Sequence, residues 1–262
     1  MTPAAPLAAG VSARRRLRPA DLDTVVLAGG LGSRLRGVLP DRPKALAPVA
    51  GRPFLDHLLD WLAAQGAHRV VLALGVMADQ VLAHLARSAG RWPGLRLDPV
   101  VEPAPLGTGG ALAFCRCRLG SDPVLVLNGD SFVELDLAAF VGAWPALDAA
   151  AALVAVEVAD AARYGRLELS PSGRVRRFLE KAPTPGAGWI NAGVYLLAAE
   201  TLAALPPARP SSLERDLLEA LPPGRIAAWP CGGRFIDIGT PASLAEAPAV
   251  LAACRDRIGR SP

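Results

Sequence analysis

Lysine is almost absent from this sequence. Of 28 basic residues only two are lysine, Lys44 in DRPKALAPV and Lys181 in RFLEKAP. Asparagine is as scarce, occurring at Asn128 in LNGDS and Asn191 in INAGV. Against a background that uses arginine wherever a cation will do, types kept at two positions each mark those positions as chemically particular. Other shortages exclude whole classes. No run of about 18 uncharged apolar residues occurs, so no transmembrane helix is predicted; AAAALVAVEVA is apolar but short and reads as a buried strand. The four cysteines contain no C-x-x-C pair. Cys115 and Cys117 are one residue apart, with no second pair and no nearby histidine, which argues against zinc and for reduced thiols in a cytoplasmic protein. His57, His68 and His84 lie in or beside helical patterns and receive no catalytic role. The net charge of +4 resides in Arg14, Arg15, Arg16 and Arg18, in a stretch without acids, so residues 21–262 are neutral and present no basic surface for nucleic acid. Residues 1–22 are aperiodic and rich in Pro and Ala, and are predicted to be a disordered leader. Their charges are not followed by the apolar stretch of a signal peptide.

The remainder reads as one domain over 23–258, with a nucleotide-binding half (23–150) and a second half (151–258). TVVLA at 24–28 is a short apolar run ending in glycines, the pattern of a buried parallel strand. A long Gly/Pro-rich loop follows, then a helix between Pro53 and Gly66 with Phe54, Leu55, Leu58, Leu59 and Leu62 at helical spacing. RVVLALG, LRLDPVVE and PVLVLNGD are further strands, alternating with helices in ADQVLAHLARSA and GTGGALAFCRCRL. This alternation predicts a mostly parallel sheet covered on both faces. After residue 150 the strands AALVAVEVA, YGRLELSPSGRVRRFLEK (a hairpin turning at SPSG) and WINAGVYLLA follow more closely on one another. SSLERDLLEALPPG is predicted as a helix opened by a Ser211–Glu214 capping box. RIAAWP and RFIDIG are strands, and a terminal helix is interrupted near Pro248. Ligands of open α/β sheets sit at the carboxyl ends of strands, and Gly29, Asn128 and Asp130 each follow one.

LAGGLGSRLR puts Gly29, Gly30 and Gly32 directly after the first strand, where missing side chains let backbone N–H groups approach a phosphate. The loop has no Gly-Lys pair for a Walker motif, and the second strand ends LALG without the acid of a dinucleotide site. The stretch LAGGLGSRLR…PKALAPVAGRPFL resembles the N-terminal signature of sugar-1-phosphate nucleotidyltransferases. PLGTGGAL, LNGDS, FLEK, INAGVY and FIDIGTP follow in that family's order. Within it the chain looks most like heptose 1-phosphate guanylyltransferases of the D-glycero-D-manno type. Mannose-1-phosphate guanylyltransferases, and uridylyl-, thymidylyl- or cytidylyltransferases acting on another sugar 1-phosphate, stay open. The resemblance implies a Rossmann-like α/β fold with a mixed, mostly parallel sheet flanked by helices, of the nucleotide-diphospho-sugar transferase type. It also implies a nucleoside triphosphate and a sugar 1-phosphate as partners, Mg2+ as cofactor and no membrane insertion. A homodimer is compatible with it.

Joining the two substrates brings polyanions together and neutralises a leaving pyrophosphate, which calls for cations, backbone N–H groups and a divalent metal rather than a catalytic triad. Hard Mg2+ takes few carboxylates plus phosphate oxygens and water, and Asp130 and Asp237 match the family's metal positions. Arg34 and Lys44 are expected to hold the triphosphate, and Lys181 the sugar 1-phosphate. A compact ammonium suits a cramped anion site better than a planar guanidinium. The nucleotide is expected against Leu27, Ala28, Gly29, Gly30, Gly32, Ser33, Glu102, Gly107, Thr108, Gly109, Asn128 and Gly129. The sugar phosphate is expected against Gly165, Glu180, Lys181, Asn191 and Gly193. Thr108 stands where many relatives carry Gln, which leaves the base open. A non-catalytic sensor on this fold would have lost one of Lys44, Asp130, Lys181 or Asp237, and a glycosyltransferase would bring a D-x-D pair at one strand end.

Overall fold

The computed structural model describes residues 16–30, 32–179, 186–207 and 209–258, with Ser33 and residues 255–258 described by backbone alone. In chain order the first half contains β1 (Thr24–Leu27), β2 (Pro48–Val49), β3 (Arg52–Pro53), α1 (Phe54–Ala64), β4 (Arg69–Leu74), α2 (Ala78–Arg87), β5 (Arg96–Val101), α3 (Gly107–Cys115), β6 (Val124–Asn128), β7 (Ser131–Val133) and α4 (Leu137–Leu147). The second contains β8 (Ala151–Val158), β9 (Arg166–Leu169), β10 (Val175–Leu179), β11 (Gly188–Leu197), α5 (Ala199–Ala203), β12 (Ile226–Cys231), β13 (Phe235–Asp237) and α6 (Pro241–Ile258).

Strands of both halves join in one nine-stranded sheet of order β10-β9-β11-β6-β1-β4-β5, with β8 on the other side of β11 and β12 beyond it. β6, β1, β4 and β5 pair in parallel. β11 runs against its neighbours, and β10 against β9; the other strands of the sheet point one way, so the sheet is mixed and mostly parallel. The strands are apolar at consecutive positions because both faces are covered. Val25, Val71, Val126 and Leu153 enter one core, while Val26, Val70, Leu72, Leu125 and Val154 enter the other. Helices α1, α4 and α6 close the second face through Leu58, Phe140 and Leu251. Helix α3 and residues 213–218 close the first through Leu112 and Leu217. Each such buried leucine or phenylalanine stabilises the fold by about 1.5–3 kcal/mol. Among the described residues no helix is long and apolar enough to cross a membrane.

The structure departs from the pattern reading in several places: the short elements β2, β3, β7 and α5 are absent from that reading, and three further differences have a clear physical cause. Helix α4 has no counterpart in the sequence reading. It is apolar nearly all round and carries Gly142 and Pro145, which hide the helical period; its N-cap is the Asp136 carboxylate, which accepts from the Ala139 N–H at 2.8 Å. The predicted capping box is displaced by one residue: Ser212 caps, its Oγ accepting from Arg215 N–H at 3.2 Å. The Ser211 backbone is held instead by α3, its carbonyl accepting from Gly109 N–H at 2.9 Å and its N–H donating to the Leu106 carbonyl at 2.9 Å. The helix that follows is a short π-helical stretch, Leu213–Leu218. Finally, α6 continues through Pro248 rather than breaking there. The buried residues Ala247, Leu251 and Cys254 on either side of the proline offset a penalty of about 3 kcal/mol for proline inside a helix.

Arg69 ties three parallel strands together at their amino ends. It donates to Asp23 at 2.7 Å, to Asp98 at 2.7 Å and to the Arg118 carbonyl at 2.8 Å, and all three side chains are less than one-fifth exposed. Burial pushes both carboxyls up, but hydrogen bonds outweigh it: Gly120, Arg69 and Ser121 hold Asp23 below the usual range, and Arg69 and Arg96 hold Asp98 below it. Folded pKa values below the unfolded ones add stability that is present above the ordinary aspartate value near 4 and is lost as pH falls through the lowered native values. Arg69→Met removes the cation from Asp23, which keeps only the Gly120 and Ser121 N–H groups, and leaves Asp98 with Arg96 alone; it is expected to cost about 3 kcal/mol, a fall in melting temperature of roughly 10 °C. Thermal melts at neutral pH and at pH 3 check this; the difference between variant and parent shrinks on acidification.

Candidate active site

Because β1, β4, β5 and β6 are parallel neighbours, their carboxyl ends share one edge of the sheet. The residues just beyond those ends, Ala28–Gly30, Gly75, Glu102 and Gly129–Asp130, meet there. Two hollows open on this edge. The first, on the side where the sequence leads one to expect the nucleotide and so termed the nucleotide side, has about 290 Å3 and is bordered by Leu27, Ala28, Gly29, Gly30, Lys44, Glu102, Gly107, Thr108, Asn128, Gly129 and Asp130. The second, on the side expected to take the sugar phosphate and so termed the sugar side, has about 720 Å3 and is bordered by Arg34, Lys44, Asn128, Asp130, Gly165, Asn191, Gly193 and Asp237. Lys44, Asn128 and Asp130 line both, so they form the wall between them. A third hollow, of about 320 Å3, adjoins Lys44 and is lined by Gly30, Gly32, Arg36 and Arg42.

The wall is electrostatically knit. Lys44 sits in the short helical turn Lys44–Leu46 that follows the Gly/Pro-rich loop, and its ammonium pairs with Asp130. β13 pairs antiparallel with β7, placing Asp237 opposite Ser131, and Ile238 N–H donates to the Asp130 carbonyl at 2.9 Å. The two aspartates far apart in sequence are thereby neighbours on one ribbon. Asp237 Oδ2 accepts from Tyr164 O–H at 2.5 Å and from Arg163 at 2.9 Å, and its Oδ1 from Gly239 N–H at 2.7 Å. A methyl group built on Gly239 would lie 2.5 Å from Asp237 Oδ1 and 3.6 Å from Lys44 Nζ, so the ammonium stands close to both carboxylates. Burial first, then the hydrogen bond to Asp237, raises the Tyr164 hydroxyl far above the tyrosine range, which keeps its proton on and the bond donated.

Glu102 faces the glycines of the nucleotide side. Its Oε1 lies 2.4 Å from where a Cβ on Gly75 would be and 3.1 Å from one on Gly29, and its Oε2 accepts from Leu106 N–H at 3.3 Å. Burial pushes this carboxyl up, against the lowering effect of the Leu106 N–H. On the sugar side β11 shifts register against β8 between Asn191 and Tyr195, and Gly193 at φ +75° allows it. A Cβ there would fall 2.7 Å from Asn128 Nδ2 and from Ser131 Oγ, so only glycine lets β11 approach β6 and β7 this closely.

Of the residues singled out in the sequence, most meet at this edge. Gly32 borders the third hollow rather than the first two. Gly109 borders none of the three: a Cβ on it would lie 2.8 Å from Ser211 Oγ, so it serves the packing of α3 on residues 211–212. Thr108 lies at the nucleotide side, but its Oγ1 accepts from Leu213 N–H at 2.8 Å. Ser33 is described by backbone alone, in the turn Ser33–Leu35. Glu180 and Lys181 lie outside the described residues. Sequence reasoning missed Arg163, Tyr164, Tyr195 and Glu214. The scarcity that pointed to lysine and asparagine points to two of them as well, because the chain has two tyrosines, Tyr164 and Tyr195, and each donates its O–H to a carboxylate at this site.

The fold is thus a mostly parallel α/β sheet whose strand ends open onto two adjoining hollows, with a lysine–carboxylate wall between them. The profile of the nucleotidyl transferase family matches residues 23–253, and the chain belongs to that family. It is 34% identical over 233 residues to mannose-1-phosphate guanylyltransferase of Mycobacterium tuberculosis, covering 88% of this chain and 64% of that protein, so it spans about two-thirds of that relative's length. It is 30% identical to D-glycero-alpha-D-manno-heptose 1-phosphate guanylyltransferase of Campylobacter jejuni, covering 84% of this chain and 96% of that enzyme. Among solved structures, HddC from Yersinia pseudotuberculosis superposes with a TM-score of 0.78 at 33% identity, over 90% of this chain and 99% of its own. HddC has also been solved in complex with GMP-PN. Nucleotidyltransferases of this family generally use a divalent metal ion.

Proposed function

We propose that the chain condenses GTP with a heptose 1-phosphate, giving a GDP-heptose and pyrophosphate. The observation that carries this reading is the shared wall: two hollows of unequal size meet at Lys44, Asn128 and Asp130, where a triphosphate on one side and a sugar phosphate on the other come into line. Heptose is put first on the resemblance carried by the sequence motifs, and the 30% identity to a heptose 1-phosphate enzyme supports it. Identity to the mannose-1-phosphate enzyme keeps mannose as the second reading. The four cysteines are free thiols, which suits a cytoplasmic protein.

In this reading a sugar-phosphate oxygen forms a bond to the α-phosphorus as the bond to the departing pyrophosphate breaks. The attacking oxygen is already anionic at neutral pH, so no residue need act as a strong general base. Lys44 meets the triphosphate oxygens, its ammonium moving from Asp130 toward the charge that develops on the leaving group; Arg34, expected from the sequence beside the triphosphate, borders the larger hollow instead and meets the phosphates from that side. Asn128 lines both hollows and stands against Gly193 of the sugar side. Gly165, Asn191 and Gly193 hold the sugar, and Lys181 and Glu180 join them by resemblance alone. The carboxylates also fit Mg2+. Asp130 and Asp237 come from neighbouring segments, Asp237 lying opposite Ser131 and Ile238 N–H bonding the Asp130 carbonyl. This is the sparse donor set a hard cation completes with phosphate oxygens and water. When bound, the ion would supply charge neutralisation at the phosphates; Tyr164 and Arg163 fix the orientation of the Asp237 carboxylate that would help to hold it.

The test crosses GTP, UTP, dTTP and CTP with heptose, mannose, glucose and muramic acid 1-phosphates and measures pyrophosphate release. GTP with the heptose is expected to turn over fastest. Faster release with mannose 1-phosphate transfers the assignment to that sugar, and no release from any pair removes the transferase reading. Glu102 is proposed to read the base, its carboxylate accepting from the N1–H and N2 amino group of guanine. Glu102→Gln is then expected to lower kcat/KM for GTP by about 10- to 100-fold, the value of one bidentate contact, while turnover of the pyrimidine triphosphates changes little. An equal loss for every triphosphate would instead assign Glu102 to the Leu106 turn.

A further inference from the structure

Glu214 belongs to none of the motifs that pointed to the site, yet it borders the larger hollow and is bonded to Thr108 of the smaller one. Its Oε1 accepts from Tyr195 O–H at 3.0 Å, and its Oε2 from Ser212 Oγ at 3.1 Å and Thr108 Oγ1 at 3.3 Å. The Tyr195 oxygen in turn accepts from Asn191 Nδ2 at 2.8 Å, and Asn191 Oδ1 accepts from Gly193 N–H at 3.0 Å. One carboxylate thus links the first turn of α3, on the nucleotide side, to the bulge of β11, on the sugar side. The ion pairs of the described residues do not include Glu214; its donors are three neutral hydroxyls, so direction rather than charge pairing fixes it. Tyr195 is fully buried. Burial first, then the charge of Glu214, raises its hydroxyl well above the ordinary range, so its proton stays in place. The backbone around Glu214 is π-helical, with Glu219 N–H donating to the Glu214 carbonyl at 2.9 Å. That rare geometry recurs at functional sites, and here it turns Glu214 toward Thr108 and Tyr195.

We propose that Glu214 is a positioning residue that couples the two subsites: through Thr108 and Asn191 it holds the nucleotide-side turn and the sugar-side bulge in register, so that filling one hollow tightens binding in the other. The identity of the two ligands rests on the function proposed above; the tie itself does not. A ligand that orders one end of this network has already met part of the ordering cost of the other end.

The test uses the whole chain and two measurements. In the first, calorimetry gives the affinity for heptose 1-phosphate with and without a non-hydrolysable GTP analogue. The analogue is expected to tighten binding at least about fivefold in the parent and less than about twofold in Glu214→Gln, whose amide cannot accept at both ends of the network. Tyr195→Phe cuts only the sugar arm. It is expected to lose the same coupling while binding the GTP analogue alone as the parent does, and it carries the test if Glu214→Gln does not fold. Parental coupling in both variants, or none in the parent, overturns the proposal. In the second, hydrogen–deuterium exchange is followed without any ligand. Exchange in residues 106–110 and 190–195 is expected to rise together in Glu214→Gln; a rise in only one segment, or in neither, overturns the tie. A parent that binds neither ligand sinks the substrate assignment instead, and the exchange result still decides the role of Glu214.

Discussion

Asp130→Asn is expected to lower maximal turnover about a thousandfold, since a metal-neutralised phosphate centre contributes several kcal/mol to the barrier. The change keeps the size of the side chain and removes its charge. Asp130 lies two residues beyond the Asn128 end of β6 and lines both hollows, so the lost charge lies where the two substrates are proposed to meet. Two effects combine. The carboxylate that pairs with Asp237 in the proposed cation site is gone, and Lys44 loses its ion-pair partner. The fold has little stake in the residue, because the Asp130 side chain is 42% exposed; the melting temperature is expected to stay near that of the parent. Pyrophosphate release at saturating substrates, measured beside a thermal melt, checks the prediction. Turnover within tenfold of the parent would remove Asp130 from the chemistry. Raising the Mg2+ concentration is expected to recover little of the loss, because an amide is a neutral and weaker ligand for a hard cation than a carboxylate.

The reason Asp130 was legible in the sequence, and its surroundings were not, is one of range. A strand buried on both faces writes its position as consecutive apolar residues, and the residue after it falls at the sheet edge. Thr24–Leu27 and Val124–Asn128 needed nothing else. Lys44, Asn128 and Asn191 were marked by scarcity. Helix α4 was hidden because an all-apolar segment with Gly142 and Pro145 has no period to read. The network of Thr108, Glu214 and Tyr195 was hidden for a different reason. Thr108 and Glu214 are 106 residues apart, and nothing local in SSLERDLL says that its glutamate turns toward α3 and β11 instead of completing a capping box. The box failed because the Ser211 backbone was already engaged by Gly109 and Leu106, a tertiary contact overriding a local preference. Asp237 was visible as a carboxylate, but the groups that aim it were not: Arg163 and Tyr164 reach it from a turn more than seventy residues earlier.

Lys44→Met should be as damaging as the loss of Asp130, about a thousandfold in turnover by analogy with removing a single preorganised donor to a developing charge. Among the described residues Lys44 is the cation common to all three hollows. No other described cation borders the nucleotide-side hollow, so no neighbour substitutes for it there. Methionine keeps the unbranched stem and much of its packing, which separates charge from volume. The side chain is only 13% exposed, and its stem shares the site with Gly32, whose Cβ would lie 3.5 Å from Lys44 Cβ. Lys44→Arg supplies the sharper comparison. It restores the charge on a wider, planar group, in a space bounded by Gly32, Gly239 and two carboxylates. If charge alone mattered, arginine would rescue most of the activity, as it serves nearly everywhere else in this chain. The geometry predicts otherwise: Lys44→Arg is expected to remain at least about a hundredfold below the parent, with KM for the triphosphate raised more than KM for the sugar phosphate. Steady-state kinetics with each substrate varied in turn decide it. Full rescue by arginine would show that the scarcity of lysine is an accident of composition and that the space around position 44 imposes no shape.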